Sequence, residues 1–546
     1  MNKRFHVLLA ALVAATITLT GCATEKGEAA SAKSEAGGTV TYLEPQTWKT
    51  LYPPAGGFYP NGGVINQITD RLLYQNPETL ELEPWIASEL PQINSDATEY
   101  TFKIRDGVTY SDGSVLDAAN VAKNFDLFGK GDKDRTLNKS EAITNYDHSE
   151  VIDPHTVKFY FSAPAPGFTQ AVSTINSGLV SNATLDRTGN EFGPGNAKEI
   201  IGSGPFVVSD EKLETELHLT ARKDYNWAPP SRKHQGAPLI DGVKFIVSGE
   251  ASVRVGSVVA GQAHIARQID APDEKQFDKN GLQLLAAPTN GVTNSLSFRI
   301  EHPLLRDVRV RQALIAGINR NEIVNTLFSK NYPLATGILA KTALGYTDTS
   351  SYYKHDPARA AKLLDEVGFV LGTDGIREKD GQKLKLTFNE ALPQPRSKEV
   401  VTLIQQQLKK IGVQVEIFSG DQTAQDSARK DINSIQVYHS MVGRADYDVL
   451  KSQFFSTNRN ALLNYNPETK ELVDPKLDEL MQLIASVATE AERQAASADA
   501  QKQLADNAYV LPLFEEPQVF GYSAKLQNFK TESVGRPSFY EVSLTE

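Results

Sequence analysis

The stretch Tyr100-Thr101-Phe102-Lys103-Ile104-Arg105-Asp106-Gly107-Val108-Thr109-Tyr110-Ser111-Asp112-Gly113-Ser114-Val115-Leu116-Asp117-Ala118 decides the fold. Tyr100, Phe102 and Ile104 alternate with polar residues, Asp106-Gly107 marks a turn, Val108 and Tyr110 alternate again, and Asp112-Gly113 marks a second turn. The pattern predicts a hairpin that feeds a helix. Asp117 is placed to cap that helix, and Ala118, Val121, Ala122 and Phe125 share one face at helical spacing. Val157, Phe159 and Phe161 predict another strand.

Moving outward, helix and strand patterns alternate with no fixed repeat. Val310, Leu314 and Ile318 lie along one side of a helix studded with Arg309, Arg311 and Arg320, whose guanidinium groups are expected to face solvent or acids of a neighbouring element. Asp356-Pro357 reads as a cap and first helical residue, Leu363, Leu364 and Val367 form the buried stripe, and Gly368 ends the helix. Val401, Ile404, Leu408 and Ile411 repeat the device, Gly412 stops it, and Val413, Val415 and Ile417 predict the next strand. Residues 475–508 read as one or two long helices, and Tyr509 to Phe514 returns to strand. Such alternation is what sheets covered by helices require.

The chain has 546 residues and a formal charge of −11 from 56 Lys+Arg and 67 Asp+Glu. Cores stop growing near roughly 250–300 residues, so at least two lobes are expected. The acidic balance, with no basic cluster, argues against a nucleic-acid partner. One cysteine excludes a disulfide framework and any multi-cysteine metal site. That cysteine follows Leu19-Thr20-Gly21, after a positive start at Lys3 and Arg4 and an uncharged run from Val7 to Thr20. The run is shorter than the roughly 20 residues that span a bilayer, and it reads as a secretory signal. Leu19-Thr20-Gly21-Cys22 resembles the bacterial lipobox, which implies cleavage after residue 21 and lipidation of Cys22. Residues 22–38, built from Ala, Ser, Gly, Glu and Lys, then form a flexible tether with a reach of roughly 20–25 Å.

Spacings that carry catalytic chemistry are missing. There is no Gly-x-Ser-x-Gly elbow, His-Glu-x-x-His, phosphate loop or dinucleotide fingerprint. Gly202-Ser203-Gly204-Pro205 is glycine-rich, but Pro205 removes an amide that a phosphate nest would need, and the run reads as a tight turn or hinge. The nine histidines are scattered. No enzyme, metal site or cofactor is expected; a hydrolase on a Ser/His/Asp set assembled only in three dimensions is the remote alternative.

The run 100–118 resembles the signature of the extracellular solute-binding protein family 5, the peptide-, nickel- and opine-binding proteins of ABC importers. Supporting matches are Pro84-Trp85-Ile86-Ala87, Gly202-Ser203-Gly204-Pro205-Phe206, Asp307-Val308-Arg309-Val310-Arg311-Gln312-Ala313, Asp356-Pro357 with Lys362-Leu363-Leu364, and Gln407-Leu408-Lys409-Lys410-Ile411-Gly412. The resemblance implies an α/β, two-lobed, periplasmic-binding-protein-like fold that closes like a flytrap. Its first lobe takes residues 39–290 plus 513–546, with an extra inserted subdomain at about 70–195, and its second lobe takes 291–512. It further implies a monomer, lipid-anchored on the extracytoplasmic face of the cell membrane, that captures an oligopeptide and delivers it to permease and ATPase subunits.

Peptide-binding members carry an Ala-Asp-Tyr motif whose aspartate meets the peptide's α-ammonium. Ala445-Asp446-Tyr447 matches it, which makes Asp446 the first candidate. Those members also carry a tryptophan three residues before the aspartate, where this chain has Gly443, and this chain has no proline soon after Tyr447. Arg444 and His439 flank the loop, and Arg299 stands where many relatives have asparagine. Since an arginine fork suits a carboxylate, a metal chelate, an opine or another small anionic solute is the alternative ligand. Tyr59, Tyr438 and Tyr447 join the candidates as aromatic bodies with polar tips, Tyr59 within the loop Phe58-Tyr59-Pro60-Asn61-Gly62-Gly63. A surface lipoprotein that kept the fold but lost transport is the remaining reading.

Overall fold

The computed structural model describes residues 37–279 and 281–545. Cys22 and the segment 1–36 that carries the signal and most of the tether lie outside the described residues.

Glu99–Lys103 forms a strand with Tyr100 and Phe102 buried. Both expected turns form, with left-handed glycines at Gly107 (φ 76°) and Gly113 (φ 84°). The pairing differs from the sequence reading. The strand runs antiparallel to Thr156–Phe161, setting Tyr100 opposite Phe159 and Phe102 opposite Val157, and meets Gln92–Ile93 on its other edge. Val108 and Tyr110 instead close a small loop on themselves: Leu116 N–H donates to the Val108 carbonyl (3.0 Å) and Tyr110 N–H to that of Ser114 (2.8 Å). The aromatic stripe explains the choice, because Phe102, Phe125, Phe159 and Phe168 meet edge to face with centroids 5.0–6.2 Å apart. Asp117 caps the helix Ala118–Lys130 by accepting from Asn120 N–H, and Ala118, Val121, Ala122 and Phe125 are its buried face.

Two larger sheets organise the rest. A seven-stranded sheet runs in the order Leu282–Ala287, Gln518–Ser523, Ile265–Arg267, Thr39–Glu44, Gly242–Val247, Glu216–Ala221, Phe206–Lys212. A five-stranded sheet runs Gln414–Phe418, Lys385–Asn389, Val437–Val442, Val292–Phe298, Val510–Phe514. The chain passes from the first sheet to the second over residues 288–291 and returns over 515–517, so the strand ending at Phe514 belongs to the second sheet. Helices Pro357–Val367 and Ser397–Lys409 bury Leu364, Val401, Ile404 and Leu408 on the second sheet's core, with left-handed Gly368 and Gly412 at their ends. The stretch 475–508, read as one or two long helices, forms two, Pro475–Ile484 and Glu490–Asp506.

The arginines of the helix Val308–Gly317 and of the next helix, Arg320–Leu327, correct the sequence reading. Arg309 is exposed against Asp307, but Arg311 and Arg320 are buried among backbone carbonyls. Arg311 donates to Leu305 O (2.6 Å), Arg306 O and Asn507 O, and Arg320 to Ala335 O (2.8 Å), Pro512 O (2.9 Å) and Tyr353 O. Guanidinium forks here satisfy chain ends that neighbouring elements leave open. Gly202 and Gly204 are also specific in their demand: a Cβ at either would strike the backbone of Ile68 or Thr69, at 1.9 Å and 2.5 Å. The run is a close backbone crossing inside the first sheet's core. No helix among the described residues is long and apolar enough to cross a membrane.

Candidate functional site

Between the two sheets lies a cavity of about 1020 Å³, at the upper end of the roughly 300–1,000 Å³ typical of small-ligand pockets. Its wall carries Arg71, Lys139, Arg267, Arg429, Arg444, Arg459 and Arg536 against Glu141, Asp426, Glu516 and Glu532. A chain of net charge −11 therefore lines its cavity with a cationic surplus.

Tyr59 opens the helix Tyr59–Ile68, where Pro60 presets the first turn. Its hydroxyl donates to the Gly535 carbonyl, and its ring is clasped between the guanidinium groups of Arg267 (4.0 Å) and Arg536 (4.2 Å). Arg267 is neutralised by Glu44, which its Nε meets at 3.0 Å, and it also reaches Gln518 (2.9 Å). Burial opposes the charge on Arg267, but the Glu44 carboxylate outweighs it and holds the guanidinium above its ordinary range. Arg536 has no such partner among the described residues. It is buried and donates only to the carbonyls of Tyr59 (2.8 Å) and Gly57 (2.9 Å), and burial lowers its pKa to about 10.

On the opposite wall the strand Val437–Val442 places Tyr438 and His439 at the cavity. Both His439 ring nitrogens are occupied, Nδ1 by Ser397 Oγ (2.9 Å) and Nε2 by Asn294 Oδ1. Burial drives its pKa down to about 3, so the ring is neutral. Asn294 in turn donates to Glu516 Oε2 (2.7 Å). Burial pushes the Glu516 carboxyl up to about 7. Glu516 lines the cavity from the return crossing and makes no ion pair among the described residues.

Of the sequence candidates, the cavity wall brings together Tyr59, Tyr438, His439 and Arg444. Asp446 lies one layer behind, 2% exposed, with its Oδ2 held by Arg444 Nε. Burial raises its carboxyl above the usual range although Arg444 pulls the other way. Arg444 Nη1 and Asp446 Oδ1 have no hydrogen-bond partner among the described residues. Tyr447 points into the second sheet's helices, donating to Glu490 (3.2 Å) beneath the Arg493 guanidinium (4.8 Å). Arg299 is buried behind Tyr438, over whose ring it lies at 5.0 Å, bonded to Asn460 and to Arg429 O (3.4 Å). No group of three His, Cys, Asp or Glu positioned to hold a metal occurs among the described residues.

Arg267, Arg536 and Glu516 escaped sequence reading. Glu515-Glu516 between the apolar runs ending at Phe514 and resuming at Val519 was the one legible signal, since acids rarely interrupt such a pattern without a role.

Residues 81–461 match the family profile of the bacterial extracellular solute-binding proteins, family 5. A glutathione-binding protein, GsiB, of Pectobacterium atrosepticum is 25% identical over 548 residues, 98% of each chain. NikA from Brucella suis, solved with Fe(III)-EDTA, superposes with a TM-score of 0.77 at 21% identity, over 93% of this chain and all of that one. The oligopeptide-binding protein AppA from Bacillus subtilis, solved with a nonapeptide, gives 0.75 at 18%, over 94% of this chain and all of that one. With its two sheets facing a cavity lined by charged side chains and the family profile spanning most of its length, the chain belongs to the family 5 extracellular solute-binding proteins of ABC importers.

Proposed function

We propose that this receptor, tethered through a lipidated Cys22, captures short peptides that carry more carboxylate than ammonium, glutathione-like in character, and delivers them to its permease and ATPase. The observation that carries the reading is the cationic surplus of the cavity wall, and in it Arg536, a buried guanidinium with carbonyl partners and, among the described residues, no carboxylate. A ligand carboxylate would supply the charge partner that the protein withholds. Arg444 offers a second contact, with Asp446 behind it fixing the fork. The relative named as a glutathione-binding protein agrees with a small, carboxylate-rich peptide. An anionic metal chelate or an opine is the second reading, favoured by the same surplus and by the Fe(III)-EDTA found in NikA.

A thermal-shift and calorimetry series on protein lacking residues 1–22 tests this with glutathione, tripeptides, their C-terminal amides, nickel–histidine, Fe(III)-EDTA and opines. A ligand at one hundred times its Kd adds about 2.7 kcal/mol of stability, a readable shift. Peptide acids are expected to bind at least tenfold more tightly than their amides, and Arg536→Met to remove most of that difference. Amides that bind as well as acids would refute the carboxylate reading, and shifts confined to chelates or opines would transfer it to them. Mass spectrometry of the membrane-extracted N-terminus, beside a Cys22→Ala variant expected in the soluble fraction, tests the anchor.

A further inference from the structure

We propose that Glu516 receives the cationic group, an ammonium or amine, of the solute held in the cavity. The inference rests on the peptide reading above and deepens it, by giving the ligand's cation a place of its own, away from Asp446.

Three observations converge on Glu516. It is 6% exposed yet lines the cavity, so the space it faces is the ligand's. One carboxylate oxygen, Oε2, accepts from Asn294 (2.7 Å), while among the described residues nothing donates to Oε1. The other acids of the wall are engaged: Glu141 by Arg459, Asp426 by Arg429, and Glu532 by Arg71 and Arg232. Among the described residues Glu516 is the acid that faces the cavity without a cation. A buried carboxylate left this way is costly, and a ligand ammonium placed against Oε1 converts the cost into a charge-assisted hydrogen bond.

The groups that face Glu516 support the same assignment. Arg267, whose charge acts on Glu516, is committed to Glu44. Tyr332, whose hydroxyl feels Glu516, is neutral because burial and that carboxylate both raise it. His439 shares Asn294 with Glu516 and is neutral in its turn. Among the described residues no positive side chain is available to do what a ligand cation would do. Asp446, by contrast, is already covered by Arg444, which stands between it and the cavity.

The test is calorimetry at pH 7.5 with trialanine, glutathione and the N-acetyl form of each. Wild-type protein should prefer the free amines by tenfold or more. Glu516→Gln keeps an oxygen for Asn294 and removes the charge; it should weaken the free amines at least tenfold and the N-acetyl forms less than threefold, while Glu516→Asp keeps the preference. Should the variants fold poorly, wild type alone suffices at pH 6.5. There, binding of a free amine should release a proton, seen as a binding enthalpy that changes with the buffer's ionisation enthalpy, and binding of an N-acetyl form should not. A preference that survives in Glu516→Gln, or that Asp446→Asn erases instead, overturns the proposal. Peptides that bind without regard to acetylation overturn it and leave the peptide reading standing. Failure of every peptide to bind wild type overturns both.

Discussion

Replacing Asp446 with alanine separates two roles that the same residue can be given. If its carboxylate waits for a ligand ammonium, its loss touches free-amine ligands and little else. In the structure it is 2% exposed and spent on Arg444, whose own side chain is 12% exposed. Deleting one partner of a buried ion pair costs about 3–5 kcal/mol, because the survivor is left charged and dry. Arg444 borders the cavity, where water can reach it, and Asp448 and Glu141 still act on its charge. The expected loss is therefore lower, about 2–3 kcal/mol. At about 2–4 °C per kcal/mol for a folding unit of 150–250 residues, the ligand-free protein should melt roughly 4–12 °C lower. The assay is a thermal melt of ligand-free Asp446→Ala, Arg444→Met and the double variant, followed by calorimetry with free and N-acetyl peptides. The double variant should recover much of the lost stability, since a pair removed whole leaves no orphan charge. Affinity should fall alike for free and acetylated peptides, through misplacement of the Arg444 fork. An unchanged melting temperature together with a loss confined to free amines would refute the argument from burial and return the ammonium to Asp446.

Two further predictions concern closure and pH. Arg459 and Glu141 pair at 2.5 Å from opposite sides of the cavity, both side chains nearly half exposed; a pair of this kind contributes about 0.2–1 kcal/mol, so Glu141→Gln should weaken ligand binding up to about fivefold at low salt and not at all near 1 M salt, where screening has already removed the pair. His439 and Glu516, joined through Asn294, give stability opposite pH dependences. The His439 pKa, depressed to about 3, makes the unfolded chain bind the proton first, so its stability is present above pH 6.5 and falls by about 2 kcal/mol by pH 5. The Glu516 pKa, raised to about 7, makes the native state bind the proton first, so its stability is present below about pH 4.5 and is lost as pH rises through 7. Relative to wild type, denaturant titrations from pH 7 to 5 should therefore show Glu516→Gln losing stability more steeply and His439→Gln less steeply.

What sequence could read depended on how local the determinant is. The cap at Asp117, the stripes on Ala118–Lys130 and Ser397–Lys409, and the glycine stops at Gly368 and Gly412 lie within one or two turns, and they stand where the patterns put them. The partner of Glu99–Lys103 was misread because the residue that competes with Val108 for it, Phe159, lies more than fifty positions away. Arg311 and Arg320 were misread because periodicity records which residues are apolar and is blind to carbonyls arriving from Asn507 and Pro512. The same limit governs the site. Arg444 was legible through its motif, but the clasp on Tyr59 draws on Arg267 and Arg536, more than 200 and 400 positions further on.

Under the proposed function, the distribution of these groups would couple recognition to closure. Tyr59, Arg267 and Arg536 belong to the wall built on the seven-stranded sheet, Tyr438, His439 and Arg444 to the wall built on the five-stranded one, and Glu516 to a crossing between them. A ligand biases an equilibrium between open and closed forms only by the difference in its affinity for the two. A solute with one anionic group can satisfy Arg536 with the walls apart and gains nothing from their approach. A solute with a second carboxylate and a cation reaches Arg536, Arg444 and Glu516 together only when the walls meet, and so turns its binding energy into closure. On this argument the number of charged groups a solute carries, more than its affinity, decides whether the receptor presents the closed shape that a permease reads. A monocarboxylate that binds tightly should therefore leave the small-angle scattering profile of the open form unchanged, whereas a zwitterionic dicarboxylate of equal affinity should compact it.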